Sequence, residues 1–190
     1  MRTATTTTLL RCAAFGAVGA IVLLLVSPLT STAAVVNPVL YAAIAAVTMV
    51  MPMLARRWTG TPGATVLTAA VTGVLALAFT ALGPAIIVAL VVPAAAIDLV
   101  LARRRDPGRM VTWLAAAAGG VAIWALSFAV ISPDLVSPVL VIVLLAVRVV
   151  SYVLAMELAG LVAGRLRRSG VRSGRAEARR DDARGGSSDA

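Results

Sequence analysis

The chain contains no histidine, no lysine and a single cysteine, Cys12, and each scarcity closes a class of function. Without an imidazole there is no Ser-His catalysis, no histidine general base and no histidine-ligated metal. One thiol allows neither an intrachain disulfide nor a cysteine metal cluster. The sequence also lacks a P-loop, a paired-aspartate motif for phosphate-bearing lipids and any phosphate-cradling glycine motif. Neither a metal nor a cofactor is expected, and ATP-driven work would need an ATPase on another chain.

What fills the 190 residues is apolar: 61% are hydrophobic, 13% charged, and the mean hydropathy is +0.99, far above that of a water-soluble domain. A bilayer-spanning helix takes about 20 apolar residues, because only an intrasegment ladder satisfies every backbone group in lipid. Six runs approach that length: Leu9 to Val26, Val35 to Ala55, Pro62 to Leu82, Ala85 to Ala102, Met110 to Ile131 and Ser137 to Gly164. The uncharged stretch Ser27 to Ala34, with Pro28, reads as the first connection, and Gly83-Pro84 as a tight turn. The expected fold is an all-α integral membrane bundle of about six helices over residues 1–168, followed by an Arg-rich tail, 169–190, too polar to fold.

The net charge of +9 belongs to topology and not to nucleic acid. Arg2, Arg11, Arg56, Arg57, Arg103, Arg104, Arg105, Arg109 and the tail arginines all fall on one side, while the opposite connections hold no basic residue and only Asp134 as a charge. By the positive-inside rule both termini are cytoplasmic, in a multi-pass protein of the cell membrane. A competing reading takes Met1 to Ala33 as a signal peptide; its apolar run is long for one, and cleavage would leave five helices.

Arg148 is the most informative residue. About ten residues after Pro138, at about 1.5 Å each, it lies near the bilayer midplane, where an ionisable group is expensive. It can face a water-filled pocket, bind an anionic ligand group, hydrogen-bond freed carbonyls, or snorkel toward Asp134 or Glu157. Ser151 and Tyr152 share its face. Trp124 and Ser127 in the outer part of the fifth span, with Asn37 and Tyr41 in that of the second, are candidates to line the same outward cavity; for Trp124 and Tyr41 an interfacial aromatic belt is the alternative.

Four further features concern packing and pairing. Ala13, Gly16, Ala17 and Ala20 form a small-residue face on the first helix, suited to packing within the chain or to docking a partner subunit. Thr65, Thr68 and Thr72 form a stripe expected to bond back to their own helix, and Asp98 is expected to pair with the arginines that follow it. Ala155, Ala159 and Ala163 read as an internal seam.

Six short helices with Ala13-x-x-x-Ala17 on the first, AAAIDLVLA from Ala94 to Ala102, and VVSYVLAMELAGLVAGRLRRSGV from Val149 to Val171 resemble the substrate-binding S components of energy-coupling factor (ECF) transporters. The resemblance covers the chain up to Val171. It implies a subunit that is not an enzyme and that captures a vitamin or similar micronutrient. Its implied partners are membrane lipid, a transmembrane coupling subunit met by Ala13 and Ala17, and two cytoplasmic ATPases. It also implies a pocket in the outer half covered by the connection after the first helix, here Ser27 to Ala34. The 4% aromatic content argues against an aromatic-rich pocket. A self-contained small permease or exporter is the alternative.

Overall fold

The computed structural model describes residues 6–80, 83–102, 107–128 and 138–169. These form seven helices: α1 (Thr6–Val36), α2 (Pro38–Ala45), α3 (Val50–Thr59), α4 (Ala64–Ala76), α5 (Ala85–Ala102), α6 (Arg109–Phe128) and α7 (Pro138–Arg168). A 3-10 turn, Ala46–Met49, joins α2 and α3 into one rod, and a second, Leu77–Phe79, extends α4. The result is six crossings, with no strand among the described residues. Five of these helical stretches are long and apolar enough to span a bilayer, the α2–α3 rod counting as one.

The crossings form a ring. α1 packs on α4, α4 on α5, α5 on α6, α6 on α7, and α7 on the α2–α3 rod, which closes back on α1. Facing residues are small: Ala42, Ala55, Ala69, Ala94, Ala115, Ala116 and Ala159 are buried between the helices. Bulky aliphatics point outward instead, among them Leu25, Leu99 and Leu154. In water that arrangement would be unstable; in lipid, whose tails are as apolar as leucine, it lets backbones approach closely and leaves large side chains to the solvent they match. The Ala155, Ala159 and Ala163 seam of α7 is buried, as its spacing suggests.

Side-chain contacts orient the ring. Arg167 near the end of α7 reaches the Arg57 carbonyl near the end of α3, and Asp98 late in α5 meets Thr65 at the start of α4. α1 runs alongside α4 in the same direction, because Gly16 lies against Thr68 and Val71 and Gly19 against Thr72. The start of α1 and the end of α7 therefore share the arginine-bearing, cytoplasmic end.

Two expectations need correction. Ser27 to Ala34 is not a connection but the continuation of α1, which runs through Pro28 to Val36. Proline removes one ladder bond, the one to the Leu24 carbonyl, and the hydroxyls that follow are taken up within the helix: Thr30 and Ser31 both donate to the Ser27 carbonyl, at 2.8 and 2.9 Å, and Thr32 donates to that of Pro28 at 3.0 Å. The third crossing is also shorter than Pro62 to Leu82. Gly60 and Gly63 adopt left-handed conformations, φ 69° and 83°, which hold the helix start back to Ala64. Its 16 residues to Phe79 span only about 24 Å of a hydrocarbon core of about 30 Å.

Candidate functional site

α7 carries Arg148 into the bundle with only 7% of its surface exposed. Its guanidinium carbon lies 5.4 Å from the centroid of the Tyr41 ring on α2, a cation–π contact between two crossings. Tyr152, one turn further along α7, is buried, and Ser151 beside it is half-buried.

A pair of glycines on α6 makes this approach possible. A Cβ on Gly120 would stand 3.0 Å from the Val149 Cα and 3.1 Å from the Arg148 carbonyl oxygen; one on Gly119 would stand 3.1 Å from the Tyr152 ring. Bare backbone on α6 thus seats α7 at the turn that bears Arg148 and Tyr152. In the sequence, the Gly119-Gly120 pair inside an apolar run is the signal for this contact.

Neither described carboxylate is spent on Arg148. Glu157 accepts from the Trp113 indole N–H and lies 3.6 Å from Arg109 Nε, and the Arg109 guanidinium also stacks 4.8 Å over the Trp113 ring. Asp98 pairs with Arg56 on α3, Oδ1 to Nε at 3.3 Å. Asp134, the other acid toward which Arg148 could snorkel, lies outside the described residues.

The other candidates are engaged with backbone. Asn37 is exposed and caps α2, its Oδ1 accepting from Val39 N at 2.9 Å and Leu40 N at 3.2 Å. Ser127 donates to the Ile123 carbonyl of its own helix at 2.8 Å. The Trp124 indole donates to the Val141 carbonyl at 3.2 Å and ties α6 to α7; Val141 lies about 10 Å outward of Arg148 along α7. The structure therefore gathers Arg148, Tyr41 and Tyr152, and gives Asn37, Ser127 and Trp124 structural bonds as well.

The small face of α1 divides. Gly16 and Ala20 are buried within the chain: a Cβ on Gly16 would meet Val71 at 2.6 Å. Ala13 and Ala17 are exposed, on the outer face with Leu10, Val18 and Ile21. Only that pair remains open to a partner; Gly16 and Ala20 belong to the α1–α4 contact.

The cytoplasmic end holds a network that the sequence placed differently. Asp98 accepts from Thr65 Oγ1 at 2.8 Å and from Val66 N at 3.1 Å while it faces Arg56, whose Nη2 donates to the Leu101 carbonyl at 3.3 Å. Its cation comes from α3 across the bundle; Arg103 to Arg105 lie outside the described residues. Two members of the threonine stripe are glue between helices: Thr65 bonds Asp98, and Thr72 Oγ1 donates to the Gly16 carbonyl at 3.0 Å. Both bonds need a side chain aimed at a neighbour, which spacing along one helix does not reveal.

No protein-family model matches the chain, and no curated protein matches it. Among solved structures, the crystal structure of an S-component of an ECF transporter is similar with a TM-score of 0.83 and 22% sequence identity, over 96% of each chain. With that agreement along nearly the whole length, in a ring of six crossings whose ends share one side, the chain has the fold of an ECF-transporter S component.

Proposed function

We propose that the protein is the substrate-binding subunit of an ECF-type importer in the cell membrane, capturing a vitamin or similar micronutrient for uptake driven by separate ATPase subunits. The observation that carries this reading is the S-component fold over 96% of both chains. The residues add a second support: a buried arginine whose described neighbour is an aromatic ring and not an acid retains charge for an anionic ligand group.

In this reading Arg148 binds the anionic group, with Tyr41 and Tyr152 as the flat walls beside it and Ser151 within reach on the same helix. Asn37, Trp124 and Ser127 belong to the outward rim. Ala13 and Ala17 dock the transmembrane coupling subunit, because two exposed alanines one turn apart let a partner helix approach closely. The protein binds and delivers; hydrolysis belongs to two cytoplasmic ATPase subunits.

The test is co-purification of the tagged full-length protein from native membranes, followed by mass spectrometry of its protein partners and of any small molecule released on denaturation. Recovery of a transmembrane subunit with ATPases supports the reading and names the ligand class. Recovery of the protein alone or as a homodimer rejects it in favour of an independent permease.

A further inference from the structure

On the outer surface of the cytoplasmic end, α6 and α7 share a charged cluster that the substrate site does not use. Arg109 opens α6, and Trp113 follows one turn further in; both meet Glu157 on α7. The Trp113 indole N–H donates to Glu157 Oε1, Arg109 Nε lies 3.6 Å from the same oxygen, and the guanidinium stacks 4.8 Å over the indole ring. The cluster is open to its surroundings: the Arg109 side chain is 73% exposed and that of Glu157 33%.

Those surroundings are lipid. Leu154, Leu158 and Leu161 lie on the same stripe of α7 as Glu157, Met110 and Leu114 flank Trp113 on α6, and all five are exposed. Arg109 stands at the arginine-bearing end of the bundle with Trp113 about 6 Å inside it, which places the cluster at the inner headgroups. A carboxylate on a lipid-facing stripe is expensive, and an interior role does not explain it because the pair lies on the outside of the bundle.

The cluster also keeps unused bonding capacity of both signs. Both contacts of Glu157 fall on Oε1 and Arg109 engages it through Nε, so Oε2 and the two terminal guanidinium nitrogens have no partner among the described residues. One fixed cation beside one fixed anion complements a headgroup with the same two charges reversed. The open guanidinium nitrogens suit a phosphate, and the open carboxylate oxygen suits an ammonium that still has N–H to donate. A headgroup that is only anionic would meet Glu157 at close range. A quaternary ammonium brings Oε2 no donor and finds one face of Trp113 already covered by Arg109.

We infer that Arg109, Trp113 and Glu157 form a site for a zwitterionic inner-leaflet phospholipid with a primary ammonium, the chemistry of phosphatidylethanolamine. Its phosphate binds Arg109, its ammonium donates to Glu157 Oε2, and its acyl chains lie along the exposed leucines. The site is separate from Arg148 and stands whether or not the chain serves an importer.

Native mass spectrometry of the full-length protein in non-ionic detergent tests this with phosphatidylethanolamine, phosphatidylcholine and phosphatidylglycerol of equal acyl chains. The parent protein should retain phosphatidylethanolamine saturably at one site, about tenfold more tightly than phosphatidylcholine, the weight of a charge-assisted hydrogen bond. Equal retention of these two, or preference for phosphatidylglycerol, overturns the inference. Glu157→Gln should bring phosphatidylethanolamine down to the level of phosphatidylcholine, and Arg109→Gln should weaken both. Arg168→Gln, an exposed arginine outside the cluster, should change neither. A preference that survives Glu157→Gln and Arg109→Gln overturns the inference, as does an equal loss in Arg168→Gln. Should Glu157→Gln fail to elute as a folded species, Arg109→Gln against Arg168→Gln decides, since both side chains are exposed.

Discussion

Two buried arginines sit at different depths of this bundle, and their surroundings differ more than their burial. Arg56, 8% exposed, is closed into a network in which one carboxylate serves a guanidinium, a hydroxyl and a backbone N–H drawn from α3 and α4. Arg148, 7% exposed, faces the Tyr41 ring, and both described carboxylates are committed elsewhere. Desolvating a cation costs several kcal/mol in either place. At Arg56 the fold itself supplies the compensation. At Arg148 a ring worth about 0.5–2 kcal/mol supplies only part of it, and the remainder is available to something that arrives from outside. One arginine is a fastening; in the proposed function the other is a receptor.

The sharpest way to break this contrast is at Asp98. Asp98→Ala removes the counter-charge of Arg56 and the acceptor of Thr65 and Val66, so about 3–5 kcal/mol of stability should be lost. Unfolding in detergent reads this directly. Replacing the pair together, Arg56→Met with Asp98→Leu, should recover most of the loss, because no buried charge is then left uncompensated. A single substitution costing under about 1 kcal/mol would mean that water reaches the network.

Arg148→Leu should do the reverse. The variant should unfold no earlier than the parent, since it removes a desolvated charge that no described acid balances. Affinity for the native ligand should drop about tenfold to a hundredfold, the weight of one charge-assisted hydrogen bond of about 1.5–3 kcal/mol. Unchanged affinity would place the substrate elsewhere and reduce Arg148 to a packing element. A large loss of stability with affinity intact would make it a second fastening and erase the contrast with Arg56.

The bundle was legible because lipid imposes a coarse rule: each crossing must be long, apolar and helical, and arginines mark the cytoplasmic ends. Hence five of the six spans were found within several residues, and α1 was cut short only where Pro28 and the run of hydroxyl residues imitated a connection. The position of Arg148 along its helix, ten residues after Pro138, was legible for the same reason, since rise per residue is fixed. What stands beside each side chain was not. Asp98 pairs with Arg56 on α3, 42 positions away in sequence, and Gly16 turned inward while Ala17, its neighbour, faces out. Such choices follow from the order of helices around the ring, and neither hydropathy nor periodicity encodes that order.

Thr72 offers the smallest and most discriminating probe of how the two ends are joined. Its hydroxyl donates to the Gly16 carbonyl, and its Oγ1 would stand 2.7 Å from a Cβ on Gly19, so this part of the α1–α4 contact seats a hydrogen bond between two glycines. Thr72→Val preserves the shape and removes the bond. The Gly16 carbonyl keeps its place in the helix ladder, so the cost should be only about 0.6 kcal/mol, the average for bonds between membrane helices. Unfolding should shift slightly, with ligand binding at Arg148 unaffected. Gly16→Val attacks the same contact sterically, through the 2.6 Å approach to Val71, and should cost more, about 1–3 kcal/mol. If the two costs were equal, the hydroxyl would be the principal tie between α1 and α4; a valine at 72 that costs several times less assigns that role to the close approach of the two backbones.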